Sequence, residues 1–244
     1  MNGASVSDKA PVAMILAAGR GERMRPLTDR SPKPLLEAGG KALIVHLIEA
    51  LARAQCRQLV INTAHLGEAI ESALGDGRRW GVHVRYSREH TALETAGGIA
   101  LARPLLGDEP FLVVNGDIWS DLDFAAFVAR ARTGLQAAAA GGGAALAYLL
   151  LADNPPHHPE GDFSLMGGRL TDAPGPRLTF AGVGLYRPQL FDPVVPGSRA
   201  ALAPLLFAAR DRGVLAGEHY RGQWHDIGTP QRLAALDRQL RGQL

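Results

Sequence analysis

The sequence predicts an α/β fold: a mostly parallel central sheet, helices on both faces and a small antiparallel extension. Three observations carry this. Over residues 12–133 short apolar runs alternate four times with longer amphipathic stretches, the order that successive βαβ units produce. The first run ends in a glycine loop, at the strand end where such sheets take up ligands. After about Thr133 strand-like runs begin to follow one another without helices between them.

The elements follow in order. VAMILAA, from Val12, is continuously apolar and reads as a buried strand. KALIVHLIEALARA, from Lys41, sets Leu43, Leu47, Ile48 and Leu51 on one helical face. QLVINTA (from Gln58) and VHVRYSRE (from Val82) read as strands, with the short helix GEAIESAL between them. TAGGIALARPLL (from Thr95) is a helix, PFLVVNGD (from Pro110) a strand and DFAAFVARAR (from Asp123) a helix. The low-complexity stretch at 136–145, QAAAAGGGAA, reads as a mobile surface loop, or its alanines extend the preceding helix. ALAYLLLADN is a strand, and FSLMGGRL a strand pair turning at Gly167-Gly168. LTFAGVGLYRP is a further strand, ALAPLLFAARDRG a helix stopped by Gly213, and HYRGQWHDIGT a final strand pair. Thr229-Pro230 opens the last helix, Thr as N-cap and Pro in the first turn. No linker or repeat interrupts 12–244, so one domain is expected there, behind a disordered tail at 1–11.

Of the 244 residues, 46% are hydrophobic, enough for a sizeable core. The net charge of +2 gives no basis for nucleic-acid binding by overall charge, so any basic site is local. The single cysteine, Cys56, excludes an internal disulfide. With no signal peptide and no membrane-spanning run, a cytoplasmic protein is expected, as a monomer or small homo-oligomer.

The local basic site is VAMILAAGRGERMRPLTDRSPKPLL: Gly19 and Gly21 follow the first strand, Arg20, Arg23 and Arg25 lie within six residues, and Lys33 stands between Pro32 and Pro34. A dinucleotide loop fits poorly. Met24 takes the third glycine position, and the second strand ends in Ile61-Asn62-Thr63 without an acid. Polyphosphate binding fits better: glycines let backbone N–H groups approach phosphate oxygens, arginine supplies a forked donor, and Lys33 is a point charge on a constrained segment. The plainer alternative is a solvated basic loop.

LAAGRGERMRPLT followed by SPKPL resembles the signature of the sugar-1-phosphate nucleotidyltransferases, L-x-x-G-x-G-[TE]-R-[LM]-x-P-L-T and then P-K-P. The resemblance continues through LETAGGI (from Leu93), VVNGDIW (from Val113) and WHDIGTP (from Trp224). The short form, together with DNPPHH, GDF, LTFAG and EHYRGQWHDIGT, is most similar to the bacterial branch that uridylylates N-acetylmuramate α-1-phosphate in peptidoglycan sugar recycling. The resemblance implies a Rossmann-like domain of the nucleotide-diphospho-sugar transferase type, with 12–133 mainly binding nucleotide and 134–244 mainly sugar. It implies UTP and a sugar 1-phosphate as substrates, an NDP-sugar and pyrophosphate as products, and Mg²⁺ as cofactor. Arg23 then grips the leaving phosphates and Lys33 lies near the α-phosphate, with Arg20 and Arg25 as helpers. Leu16, Ala17, Ala18, Gly19, Gly21 and Thr95 line the nucleotide, and Asp117 and Asp226 hold the metal. Asn115, Asn154 and Asp162 are expected near the sugar, and His157, His158 or Arg177 could meet a lactyl carboxylate. Taken singly, each aspartate also suits a turn or cap, the His pair a solvated loop, and Trp224 and Tyr220 ordinary core packing. Two rival readings remain open: other base and sugar pairs (GTP with mannose 1-phosphate, dTTP or UTP with glucose 1-phosphate), and a non-catalytic sugar-nucleotide sensor.

Overall fold

The computed structural model describes residues 9–136 and 143–243. Its strands are β1 (Ala13–Leu16), β2 (Glu37–Ala38), β3 (Lys41–Ala42), β4 (Gln58–Thr63), β5 (His83–Arg88), β6 (Phe111–Asn115), β7 (Ile118–Ser120), β8 (Ala147–Ala152), β9 (Phe163–Met166), β10 (Arg169–Thr171), β11 (Arg177–Tyr186), β12 (Leu215–His219) and β13 (Trp224–Asp226). Its α-helices are α1 (Leu43–Arg53), α2 (Gly67–Leu74), α3 (Glu94–Leu106), α4 (Phe124–Gln136), α5 (Leu202–Asp211) and α6 (Pro230–Leu240).

Nine strands form one sheet in the order β5-β4-β1-β6-β11-β8-β12-β10-β9. The first four are all parallel. The chain leaves β1 towards β4 and β5, then returns to place β6 on the other side of β1. Loops after β1 and β6 therefore diverge, opening a crevice at the carboxyl ends of these two strands. β11 runs antiparallel to β6, with Val183 opposite Val114, so the second half of the chain extends the same sheet.

The buried parallel strands are apolar on both faces, and their side chains alternate between two cores. Ile15, Ile61, Leu112 and Val114 face the core covered by α1, α2 and α4. Met14, Val60, Phe111 and Val113 face the core shared with α3 and α5. A third cluster joins Met24, from the loop after β1, to Leu43, Ile227 and the α6 residues Leu233 and Leu236. The last helix thus packs behind the basic loop and fixes its root. Thr229 caps α6 by accepting from the Arg232 N–H at 3.3 Å, with Pro230 in the first turn, as its sequence indicates.

Three expectations change. The run from His219 to Thr229 is not a strand pair: β12 lies parallel to β8, while β13 pairs with β7 in a separate two-stranded ribbon. The Asp121 carboxylate redirects the chain between them, accepting from the Tyr220 hydroxyl and from the Gln223 N–H. Lys9 and Ala10, expected in the tail, are packed: the Lys9 carbonyl accepts from Arg132, and Ala10 lies against the core. Helix α4 runs to Gln136, and Ala145 is buried, with its carbonyl accepting from Arg187. The expected mobile loop falls mostly on 137–142, and the rest of the expected tail on 1–8, outside the described residues. The Gly167-Gly168 turn is present, both glycines at positive φ, as a two-residue hairpin requires. Among the described residues no helix is long and apolar enough to cross a membrane.

Candidate active site

A cavity of about 500 Å³ opens where β1 and β6 end. Leu16, Ala17, Ala18, Gly19 and Gly21 form one wall, and Thr95, Asn115 and Asp117 line it from the other segments. Gly21 has φ +64, and a Cβ there would stand 3.0 Å from Thr28 Cγ2 and 3.1 Å from Lys33 Cβ. The glycine lets the loop fold back onto Lys33, and its carbonyl accepts from the Thr28 hydroxyl at 2.9 Å.

Lys33 is buried at 9% exposure, and its Nζ lies 2.6 Å from Asp117 Oδ2. Arg20 and Arg23 line the same cavity. Neither has a hydrogen bond or ion pair to another described residue, so both guanidinium groups are available to an anion. Arg25, expected as a helper, pairs with Asp29 at 3.2 Å instead and does not line the cavity.

The backbone brings the second aspartate to the first. In the β7–β13 ribbon Asp226 stands opposite Ile118, and the Ile227 N–H donates to the Asp117 carbonyl at 2.7 Å. The Asp226 carboxylate is taken up by Arg232, 2.5 Å from both of its oxygens, and by His157 Nε2 at 3.1 Å. Arg232 in turn reaches the cavity rim. A Cβ on Gly228 would stand 2.3 Å from Arg232 Nη2 and 3.3 Å from Arg23 Nη2. Two carboxylates, Asp117 in the turn before β7 and Asp226 at the end of the neighbouring β13, each already facing a cation, form an oxygen-donor set that suits Mg²⁺, which leaves its other positions to phosphates and water.

On the side where the sugar is expected, a second cavity of about 420 Å³ shares Glu94, Thr95 and Asn115 with the first. Asp162 lines it, held by the Phe180 N–H at 2.7 Å and by His158 at 3.1 Å, and Phe163, Phe180 and Phe207 make its apolar wall. Asn115 fits because β11 bulges past it: Gly182 has φ +74, and a Cβ there would meet the Asn115 amide at 2.7 Å. Asn154 lines neither cavity. Its amide donates to the Pro159 and Arg177 carbonyls and accepts from Thr179, so it fastens a loop. Trp224 donates its indole N–H to the Ala181 carbonyl and packs, with Tyr220, against the core.

These features match a family. Residues 12–146 fit the model of the family described as Nucleotidyl transferase. The chain belongs to the nucleotidyl transferase family. It is 51% identical, over 91% of its length and 94% of the relative's, to N-acetylmuramate alpha-1-phosphate uridylyltransferase of Neisseria meningitidis. It is 34% identical to the protein of the same name from Caulobacter vibrioides, covering 96% and 99%. Its fold superposes with a TM-score of 0.82 on a Bacillus anthracis protein described as a glucose-1-phosphate thymidylyltransferase, at 23% identity and 95% and 96% coverage.

In this nucleotidyl transferase the wall behind the cavity is a buried polar chain that sequence reasoning missed. The Ala17 N–H donates to Asn62 Oδ1 at 2.8 Å, and Asn62 Nδ2 donates to Glu89 Oε1 at 2.7 Å. Glu89 Oε2 accepts from the Leu93 N–H at 2.9 Å. Asn62 and Glu89 are 3% and 6% exposed, so the chain stands in low dielectric and rigidly ties the first loop to the start of α3. The one sequence signal was a polar residue beside the end of each of two strands, Asn62 just before the end of β4 and Glu89 just after β5. Arg232 was missed too, hidden one helical turn after a cap motif.

Proposed function

We propose that the chain transfers UMP from UTP to N-acetylmuramate α-1-phosphate, giving UDP-N-acetylmuramate and pyrophosphate with Mg²⁺ bound. The observation that carries this reading is the 51% identity, across nearly the whole of both chains, to a uridylyltransferase of that name. The cation–carboxylate arrangement around Lys33 and Asp117 supports the chemistry. A phosphate oxygen of the sugar 1-phosphate attacks the α-phosphorus, the bond from the α-phosphorus to its bridging oxygen breaks, and pyrophosphate leaves with the electron pair. The nucleophile is already an anion, so no side-chain base is required.

Catalysis is then positioning plus stabilisation of negative charge. Backbone N–H groups of the glycine loop face the phosphates. Arg20 and Arg23 meet the charge that builds on the leaving pyrophosphate. Lys33, held at the cavity beside Asp117, offers its ammonium to the α-phosphate and the sugar phosphate. Asp117 and Asp226 would hold Mg²⁺, which supplies neutralisation of the triphosphate charge. Asn115 and Asp162 offer polar atoms to the sugar in the second cavity.

Pyrophosphate release from a panel of nucleoside triphosphates and sugar 1-phosphates, with and without Mg²⁺, tests the proposal. UTP with N-acetylmuramate α-1-phosphate should give the highest kcat/KM. A preference for GTP with mannose 1-phosphate would overturn it.

A further inference from the structure

N-acetylmuramate 1-phosphate carries a second anion, the carboxylate of its lactyl ether, and its subsite needs a cation to meet it. None of the residues lining the second cavity is Lys, Arg or His, while two of them, Glu94 and Asp162, are acids. The histidines near this region are engaged: His157 with Asp226 and Arg232, His158 with Asp162. An acidic substituent entering here would meet two carboxylates unless a cation stood with them.

A cation does stand beside one of these acids, Arg199. Its Nη2 lies 2.6 Å from Glu94 Oε1, and Glu94 stands on the wall common to both cavities. The Arg199 side chain is 74% exposed, and this contact occupies one edge of a planar group with five N–H donors. Its root is fixed. The Gly97 N–H donates to the Ala200 carbonyl at 3.0 Å, and the Ala200 N–H to the Leu93 carbonyl at 2.9 Å. Gly97 makes the approach possible, since a Cβ there would stand 2.3 Å from the Ser198 carbonyl oxygen. Glu94 itself has φ +61, a backbone conformation that glycine adopts freely and an L side chain resists. The backbone gains nothing from a side chain at that turn; the contact to Arg199 does. Strain of this kind, held by surrounding structure at the junction of two cavities, is characteristic of ligand-binding positions.

We propose that Arg199, oriented by Glu94, binds the lactyl carboxylate and sets a preference for the acidic sugar 1-phosphate over its neutral counterpart. This rests on the N-acetylmuramate reading above. Arg199 acts twice: it supplies the forked donor, and it neutralises Glu94, which alone would repel the substituent.

The test compares kcat/KM, at saturating UTP, for N-acetylmuramate 1-phosphate and for N-acetylglucosamine 1-phosphate, the same sugar without the lactyl ether. R199Q should lower the acidic-to-neutral ratio about 10- to 100-fold, through KM, the scale of one charge-assisted hydrogen bond. R199K should restore part of the ratio. E94G should raise the melting temperature, by relieving the turn, and lower the ratio less than R199Q does, because the repelling carboxylate is lost together with the orienting contact. A wild-type preference that survives unchanged in R199Q would overturn the inference while leaving the uridylyltransferase reading intact. A wild-type enzyme that uses the neutral sugar and not the acidic one would overturn both.

Discussion

Substituting Lys33 and substituting Asp117 should both lower turnover by orders of magnitude, yet change stability by unequal amounts. The two side chains touch at 2.6 Å but differ in burial, the lysine 10% exposed and the aspartate 38%. Lys33→Met keeps the aliphatic stem packed and leaves Asp117 with access to water. The charge left behind, Asp117, is 38% exposed and keeps its hydration, so stability should change by less than about 1 kcal/mol, the scale of an exposed ion pair. Asp117→Asn leaves the buried ammonium without a counter-charge. Breaking a fully buried pair from one side costs about 3–5 kcal/mol, and the solvent exposure of Asp117 reduces this to about 1–2 kcal/mol here. Both variants lose a preorganised charge at the phosphates, and turnover should fall by about 10²–10³ for Lys33→Met. Urea unfolding and pyrophosphate release on the same preparations give the two readouts. If Lys33→Met lost several kcal/mol while Asp117→Asn lost none, the burial argument would be wrong. Normal kinetics in Lys33→Met would refute its role in the reaction.

Other perturbations reach the site from its supports. Glu89→Gln keeps the shape but offers one acceptor to two donors, Asn62 Nδ2–H and Leu93 N–H; unfolding free energy should drop by about 1–3 kcal/mol, with a higher KM for UTP in initial-rate assays. Gly97→Ala drives a Cβ to 2.3 Å from the Ser198 carbonyl oxygen; chemical denaturation should read a cost of about 1–3 kcal/mol, and the KM for the sugar phosphate should rise as the loop at 198–200 shifts. The Asp237 carboxyl is held below its ordinary value of 3.8 by the Gly39 N–H and then by Arg241, so its contribution is complete above that value and is lost as pH falls through the lower folded-state value. The difference in urea midpoint between wild type and Asp237→Asn should therefore be constant near neutrality and shrink in acid. Cys56 is buried, and burial raises its thiol to about 11, so a thiol reagent at pH 8 should label it only as the protein unfolds.

What the sequence revealed was whatever lay contiguous in it. β1, the glycine loop and Lys33 occupy one stretch, and their chemistry could be read from residue types and spacing. The parallel half was legible because its inner strands β1, β4 and β6 are mainly apolar on both faces and its strands are separated by amphipathic helices. Contacts between distant segments were not legible. Asn62 and Glu89 are 27 residues apart and meet only because β4 and β5 are neighbours in the sheet. β12 and β13 look like a hairpin in sequence, yet they pair with β8 and β7, and the Asp121 carboxylate accepts from the segment between them. Asn154 has the residue type of a sugar ligand, but its polar atoms are spent on a loop, which no local pattern discloses. Arg25 and Arg23 are alike in the motif; a neighbour four residues on, Asp29, separates their roles.

A single triphosphate-and-metal cluster is expected between the loop after β1 and the β7–β13 ribbon. A crystal structure with a non-hydrolysable UTP analogue and Mn²⁺, its metal located by anomalous scattering, tests this most directly. The expected result is phosphates against Gly19–Arg23, the metal on Asp117 and Asp226, and Arg232 drawn away from Asp226 towards the phosphates. A nucleotide bound elsewhere, or a metal that leaves the Lys33–Asp117 pair intact, would contradict it.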